Sequence, residues 1–136
     1  LGILIHEAMA NIKTSKDIQS ALSLLVEDGR ISISETKSLA DKIQNLISKN
    51  ELSALYSEGK QIRNEADIQL NNGKWVRPDR VVFSEDQAWV LDYKTGEELR
   101  KHHQQMATYK EAMHELGFTN VEGLLVYLDE ERVVYV

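Results

Sequence analysis

The sequence predicts an α/β domain built on a central mixed sheet flanked by helices. Two observations carry that prediction. Apolar residues recur at helical spacing through the first 60 residues and switch to strand-like runs from Ile62. Beyond the switch the order is three strands, one long helix and two more strands, so the helix has to cross over the sheet. No repeat, low-complexity tract or Pro/Gly/Ser-rich linker interrupts the chain. Residues 1–136 therefore read as one domain, with 1–60 an integral helical segment and 61–136 the αβ core.

The elements follow in order. Residues 1–13 place Leu1, Ile5, Ala8, Met9 and Ile12 on one helical face. Residues 15–28 do the same with Ile18, Leu22, Leu25 and Val26, and stop at Gly29, which suits the left-handed end of a helix. Ser32 with Glu35 forms a capping box opening a third helix through about Lys49, with Leu39, Ile43, Leu46 and Ile47 inward. Ile62 to Leu70 and Val76 to Phe83 read as strands joined by an Asn-Gly hairpin turn at 71–74. A polar turn at 84–87 leads to a third strand, Ala88 to Lys94. Thr95 with Glu98 offers a further capping box for a helix that runs to Leu116 and stops at Gly117. Val121 to Leu128 and Arg132 to Val136 are the last two strands, around an acidic turn.

Composition limits the chemistry. The chain has 16 basic and 22 acidic residues, a net charge of −6, and no cysteine. Cysteine nucleophiles, Cys-ligated zinc and cysteine-held iron–sulfur clusters are excluded, and a reducing cytoplasmic setting fits. No apolar run approaches the length of a membrane span, and residues 1–5 lack a basic leader, so neither a membrane nor secretion is expected. The missing initiator Met and an end inside a strand-like run predict a domain excised from the C-terminal part of a larger protein. An acidic domain cannot hold nucleic acid by bulk charge. A DNA function needs a local basic patch, bound cations, or help from the parent chain.

The second hairpin is the most informative feature. A turn centred between Glu85 and Asp86 sets Asp79 opposite Asp92 across adjacent antiparallel strands, and the period of two puts Lys94 on the same face as Asp92. Opposed carboxylates repel, and Val81, Val82, Trp89, Val90 and Leu91 make these strands apolar enough to bury. Lys94 offsets one charge, and a hard divalent cation is the natural further compensation. The cluster reads as metal-assisted hydrolysis of a phosphodiester. Against this stands a plainer possibility: an isolated Asp-x-Lys is more often a surface ion pair at a strand end.

Pro78-Asp79 followed by Asp92-Tyr93-Lys94 resembles the signature of the PD-(D/E)XK nuclease superfamily, with Asp in the middle position. Gly2-Ile3-Leu4-Ile5-His6 is similar to the Gly-x-x-x-His of its RecB/AddA-like branch, and Gln105-Met106-Ala107-Thr108-Tyr109 to that branch's Gln-x-x-x-Tyr. The approach to Asp79, Trp75-Val76-Arg77-Pro78, departs from the Gly-containing approach common there. The resemblance implies a restriction-endonuclease-like fold and a Mg²⁺-dependent DNA nuclease, with Mn²⁺ able to substitute. It further implies an exonuclease attached to a DNA repair or recombination helicase, whose partners are DNA, the parent helicase domain and a second helicase-nuclease subunit. It implies metal ligation by His6, Asp79, Asp92 and the Tyr93 main-chain carbonyl, a catalytic Lys94, and Gln105 and Tyr109 contacting DNA or bracing the site. Such sites often add an acidic residue from the first strand, and Glu65 is the nearest match. A two-residue Asn72-Gly73 turn, however, would pair Glu65 with Arg80, on the other face from Asp79.

Gln105 and Tyr109 are four apart and share a helix face, about 100° from Met106 and Met113, which with Leu99 and Leu116 should pack on the sheet. Arg100, Lys101, His102, His103 and Lys110 make this helix the densest basic stretch and the expected DNA-facing element, although a solvated face accounts for the same charges. The rival to an enzyme is a nuclease-fold module that has lost turnover and binds DNA or a partner subunit.

Overall fold

A computed structural model describes residues 2–136, in two compact units, 2–59 and 60–136. Leu1, expected on the first apolar helix face, lies outside the described residues. No described helix is long and apolar enough to cross a membrane.

The first unit is helical: α1 (Gly2–Met9), α2 (Ile18–Glu27) and α3 (Thr36–Ile47), with α2 packed against both of its neighbours. The first helix is shorter than its apolar period suggests. Thr14 adopts an extended conformation and forms a capping box with Asp17, whose carboxylate accepts the Lys13 and Thr14 N–H groups. That box opens a new helical turn and ends the old one, while Ile12 stays buried as if the helix had continued. Gly29 closes α2 at φ +71°, with the Arg30 N–H donating to the Leu25 carbonyl. The Ser32/Glu35 box is present, the Glu35 carboxylate accepting from both the N–H and the hydroxyl of Ser32.

The second unit has a five-stranded sheet in the order β1-β4-β5-β6-β7 and a separate two-stranded ribbon, β2-β3. The strands are β1 (Gln61–Asn64), β2 (Ile68–Gln69), β3 (Trp75–Val76), β4 (Arg80–Phe83), β5 (Gln87–Lys94), β6 (Asn120–Tyr127) and β7 (Arg132–Tyr135). Only β5 and β6 are parallel, joined by the crossover helix α4 (Arg100–Glu115).

The first expected hairpin is broken in two. Glu65 turns into the left-handed region at φ 51°, and Pro78 cannot donate to a ladder. The ends of β2 and β3 therefore leave the sheet as a ribbon, and the Arg77 guanidinium donates to the Glu65 carbonyl across the break at 2.9 Å. The turn itself also differs. The Gly73 N–H donates to the Leu70 carbonyl and Gly73 sits at φ +90°, so the loop has three residues, Asn71 to Gly73, instead of two. One extra residue shifts the register, placing Asn64 opposite Arg80. The expected pairing of Glu65 with Arg80 is thus corrected: Glu65 lies beside Asp79, its N–H donating to the Asp79 carbonyl, and its carboxylate pairs with Arg77 at 3.3 Å.

One face of the sheet packs on α4 through Val81, Val90, Leu125 and Tyr127 against Met106, Tyr109, Ala112 and Met113, with Leu70 and Val76 of the ribbon in the same cluster. Leu99 and Leu116, expected in this core, are exposed, because α4 starts at Arg100 and ends at Glu115; beyond its C-terminal end Phe118 packs against the cluster instead of Leu116. Thr95 does not cap α4. The capping role falls to His102, whose Nδ1 accepts the Leu99 N–H at 3.3 Å, while the preceding loop is tied down by the Gly96 N–H donating to Asp129. Since Leu99 can only donate there, Nδ1 is unprotonated and the Tyr127 hydroxyl donates to it at 2.8 Å.

The close approach of α4 to β6 depends on Gly123. A Cβ there would lie 2.6 Å from Met106 Cγ and 2.8 Å from its sulfur, in a fully packed interior. Gly123→Ala is expected to cost about 1–3 kcal/mol in urea denaturation. Most of that cost should vanish when Gly123→Ala is compared in a Met106→Ala background; an equal cost in both backgrounds would mean that Met106 is not the obstacle.

Candidate active site

The register of β4 and β5 fixes the site. Arg80 pairs with Leu91 and Phe83 with Ala88, so the turn is centred as its sequence indicates and Asp79, one residue before β4, stands opposite Asp92. Alternation from Val81 and Val90 turns both carboxylates, and Lys94, toward the α4 side. Asp92, Tyr93 and Lys94 close the C-terminal end of β5 just before the crossover, the end at which open α/β sheets bind ligands.

The groups are in direct contact. The Asp79 N–H donates to Asp92 Oδ1 at 3.3 Å, and the Tyr93 N–H donates to Asp79 Oδ2 at 2.7 Å. Lys94 Nζ lies 2.7 Å from Asp92 Oδ2 and also donates to Gln105 Oε1 on α4. Because Lys94 only donates, this fixes the Gln105 amide, whose NH₂ is left to donate to the Tyr109 oxygen. Asp79, Asp92, Lys94, Gln105 and Tyr109 thus form one hydrogen-bonded chain from the hairpin to the crossover helix.

Burial sets its electrostatics. Asp92 is 4% exposed, and its carboxyl is pushed up to about 7, first by loss of water, then by the Asp79 carboxylate and its hydrogen bond, with Lys94 pulling the other way. The Tyr109 phenol is raised as well, by burial and then by the same two carboxylates. It stays protonated. One ammonium does not balance two carboxylates here, so the site favours an added proton or an added cation.

The donor chemistry fits a hard cation. Asp79 and Asp92 offer carboxylate oxygens and no soft donor, the set preferred by magnesium and manganese. Among the described residues no group of three His, Asp or Glu side chains forms a metal-binding cluster. Further ligands would come from main-chain oxygens such as that of Tyr93, and from water or substrate.

Other residues singled out in the sequence fall elsewhere. Glu65 is held by Arg77. His6 is a half-buried residue of α1 in the first unit. Arg100 and Lys101 are exposed on the first turn of α4. The rest of that basic stretch is committed within the fold: His102 is buried, His103 pairs with Glu98, and Lys110 donates to the Val136 carbonyl at 2.9 Å. Tyr109, expected at the edge of the packed face, is itself a core residue. The sequence did not single out Trp75 with its neighbours Lys74 and Arg77, which line a groove shared with Gln105 and Tyr109. The proline-broken strand and an outward aromatic were the available signals.

A model of the PD-(D/E)XK nuclease superfamily matches residues 1–135. No curated protein matches the chain. The match spans both units, and the five-stranded mixed sheet with its β5-α4-β6 crossover accords with the restriction-endonuclease-like fold. The chain belongs to the PD-(D/E)XK nuclease superfamily.

Proposed function

We propose that this chain is a divalent-metal-dependent deoxyribonuclease domain that hydrolyses phosphodiester bonds, working as an exonuclease in a RecB/AddA-like helicase-nuclease. The observation that carries the proposal is the buried, mutually hydrogen-bonded Asp79–Asp92 pair with Lys94 against it. A purely structural ion pair would leave no surplus negative charge buried. Asp79 and Asp92 would hold Mg²⁺, or Mn²⁺ in its place, with the Tyr93 carbonyl and His6 as further ligands. When bound, such a cation polarises a phosphoryl oxygen and acidifies a water.

The chain's own residues do the remainder. Asp92, its carboxyl raised to about 7, would have to release its proton to solvent to serve as a ligand, so metal uptake would be proton-linked. Lys94, steadied between Asp92 and Gln105, presents an ammonium that orients the attacking water and stabilises charge building on phosphoryl oxygens. Tyr109 and Gln105 hold that ammonium in place. Glu65, tied to Arg77, stands beside Asp79 as a further acidic group of the site. Arg100 and Lys101 sit in the first turn of α4, where cations oppose the helix dipole, as phosphate-facing residues would.

The RecB/AddA-like context rests on the Gly2-x-x-x-His6 and Gln105-x-x-x-Tyr109 patterns. A net charge of −6 suits a domain to which a helicase module and a second subunit deliver DNA. The site of action in this setting is the cytoplasm.

The test is a metal titration followed by cleavage of end-labelled DNA. Millimolar Mg²⁺ should raise the melting temperature of the wild-type chain by several degrees, leave Asp79→Asn unmoved, and support stepwise shortening of DNA from one end that Asp79→Asn lacks. Metal uptake without cleavage would instead identify a module that has lost turnover and only binds DNA or a partner subunit. Absence of uptake would overturn the site.

A further inference from the structure

Beside the carboxylate site lies an open groove of about 380 Å³, with Lys74, Trp75 and Arg77 of the β3 segment on one wall and Gln104, Gln105 and Thr108 of α4 on the other. Trp75 is 61% exposed. Its strand alternates, Val76 facing the core and Trp75 facing out opposite the exposed Gln69, so packing gives no reason for an indole at this position. The groove also inverts the charge of the chain. Two cations line it and no carboxylate does among the described residues, in a protein of net charge −6. Arg77 is paired with Glu65 at 3.3 Å and Asp67 at 3.9 Å, neither of which lines the groove. Among the described residues that line the groove, none offers Lys74 a carboxylate.

An exposed aromatic between cations is the chemistry of a surface that stacks a base and grips the flanking phosphates. The base must be unpaired, because a duplex keeps its faces stacked on neighbouring pairs. The groove is continuous with the carboxylate cluster, since Gln105 lines it while accepting from Lys94, which itself contacts Asp92, and Tyr109 lines it one helical turn further on. We infer that this groove takes one unpaired strand of DNA, with a base stacked on Trp75 and the neighbouring backbone on Lys74 and Arg77, leading to the Asp79–Asp92 site. The inference rests on the nuclease proposal for its ligand class.

The experiment uses the 136-residue chain in EDTA, so that binding is read without cleavage. Fluorescein-labelled oligo-dT is titrated by anisotropy against wild type, Trp75→Ala and Trp75→Phe, with a duplex of equal length in parallel. Trp75→Ala should weaken oligo-dT binding about 5- to 100-fold, Trp75→Phe should retain most of it, and duplex affinity should be unchanged. Trp75 and Trp89 are the two tryptophans, so in a Trp89→Phe background oligo-dT should quench the remaining indole emission. Unchanged oligo-dT affinity in Trp75→Ala, an equal loss for duplex, or absent quenching would overturn the inference. The two proposals fail separately. Wild type that binds oligo-dT through Trp75 but never cuts it with Mg²⁺ sinks the nuclease alone, and Mg²⁺-dependent cutting indifferent to Trp75 sinks the groove alone.

Discussion

Asp92→Asn is expected to abolish cleavage while making the metal-free protein more stable at pH 8. The unfolded carboxyl titrates near 3.8 and the folded one near 7, chiefly because it is buried and faces Asp79. The native state therefore retains a proton over this range that the unfolded chain releases. Stability contributed by the protonated carboxyl is fully present below about pH 4 and is lost as pH rises through about 7. The full loss is on the order of 4 kcal/mol. Asparagine keeps the shape and hydrogen-bonding capacity but has nothing to ionise. Urea denaturation should show wild type losing stability from pH 5 to pH 8 while Asp92→Asn stays nearly level, with Mg²⁺ restoring wild type only. Cleavage in the variant should fall by about 1000-fold or more. Were Asp92 and Lys94 merely a structural ion pair, removing one partner would destabilise the fold at both pH values, by about 3–5 kcal/mol. That outcome would exclude the site.

The parts of this site that the sequence revealed share one property: each follows from a local rule applied over a short distance. Asp79 and Asp92 face each other because a four-residue turn centres their hairpin, and Gln105 and Tyr109 share a face because they are one helical turn apart. The parts it hid depend on small backbone departures. A single extra loop residue at Asn71 to Gly73 moved Glu65 off Arg80, and one left-handed Glu65 with one proline split two strands into four. Pro78 could have announced the split, since proline in a strand marks an edge or a break. Leu99 and Leu116 were misplaced because apolar character continues past both ends of α4 while the helix does not. Trp75 stood out only as part of the unusual approach to Asp79: aromatic residues ordinarily belong to the core, whereas here one lies on the surface beside the Asp79–Asp92 cluster. Gly123 shows how such departures support the site. It lets α4 lie against the sheet, which is what carries Gln105 to Lys94.

Lys94→Met should separate cation binding from turnover. In the wild type the ammonium lies 2.7 Å from Asp92 Oδ2, where it occupies an oxygen that a divalent cation would share. Removing it takes the adjacent ammonium from the two carboxylates, so affinity for Mg²⁺ should hold or tighten once Asp92 is ionised, measured by calorimetry at a pH well above its titration. The same loss removes the group that steadies charge on the phosphoryl oxygens, and the rate at saturating Mg²⁺ should fall by about 100- to 1000-fold. Methionine preserves length and apolar contact, so the fold should persist; the half-buried stem packs as before. Lys94 also pulls Asp92 downward, so in Lys94→Met the proton on Asp92 should be held to higher pH and Mg²⁺ uptake should need a correspondingly higher pH. A rate that recovers fully when Mg²⁺ is raised would reduce Lys94 to an electrostatic neighbour of the metal pocket. A rate that stays low with tight metal binding would place its ammonium in the reaction itself. Lys94→Arg then divides the remaining roles. A planar guanidinium keeps the charge but cannot reproduce a point contact to both Asp92 Oδ2 and Gln105 Oε1, nor give up a proton at any working pH. Recovery by arginine would therefore assign Lys94 to charge stabilisation, and failure to recover would assign it to holding or accepting the proton of the attacking water.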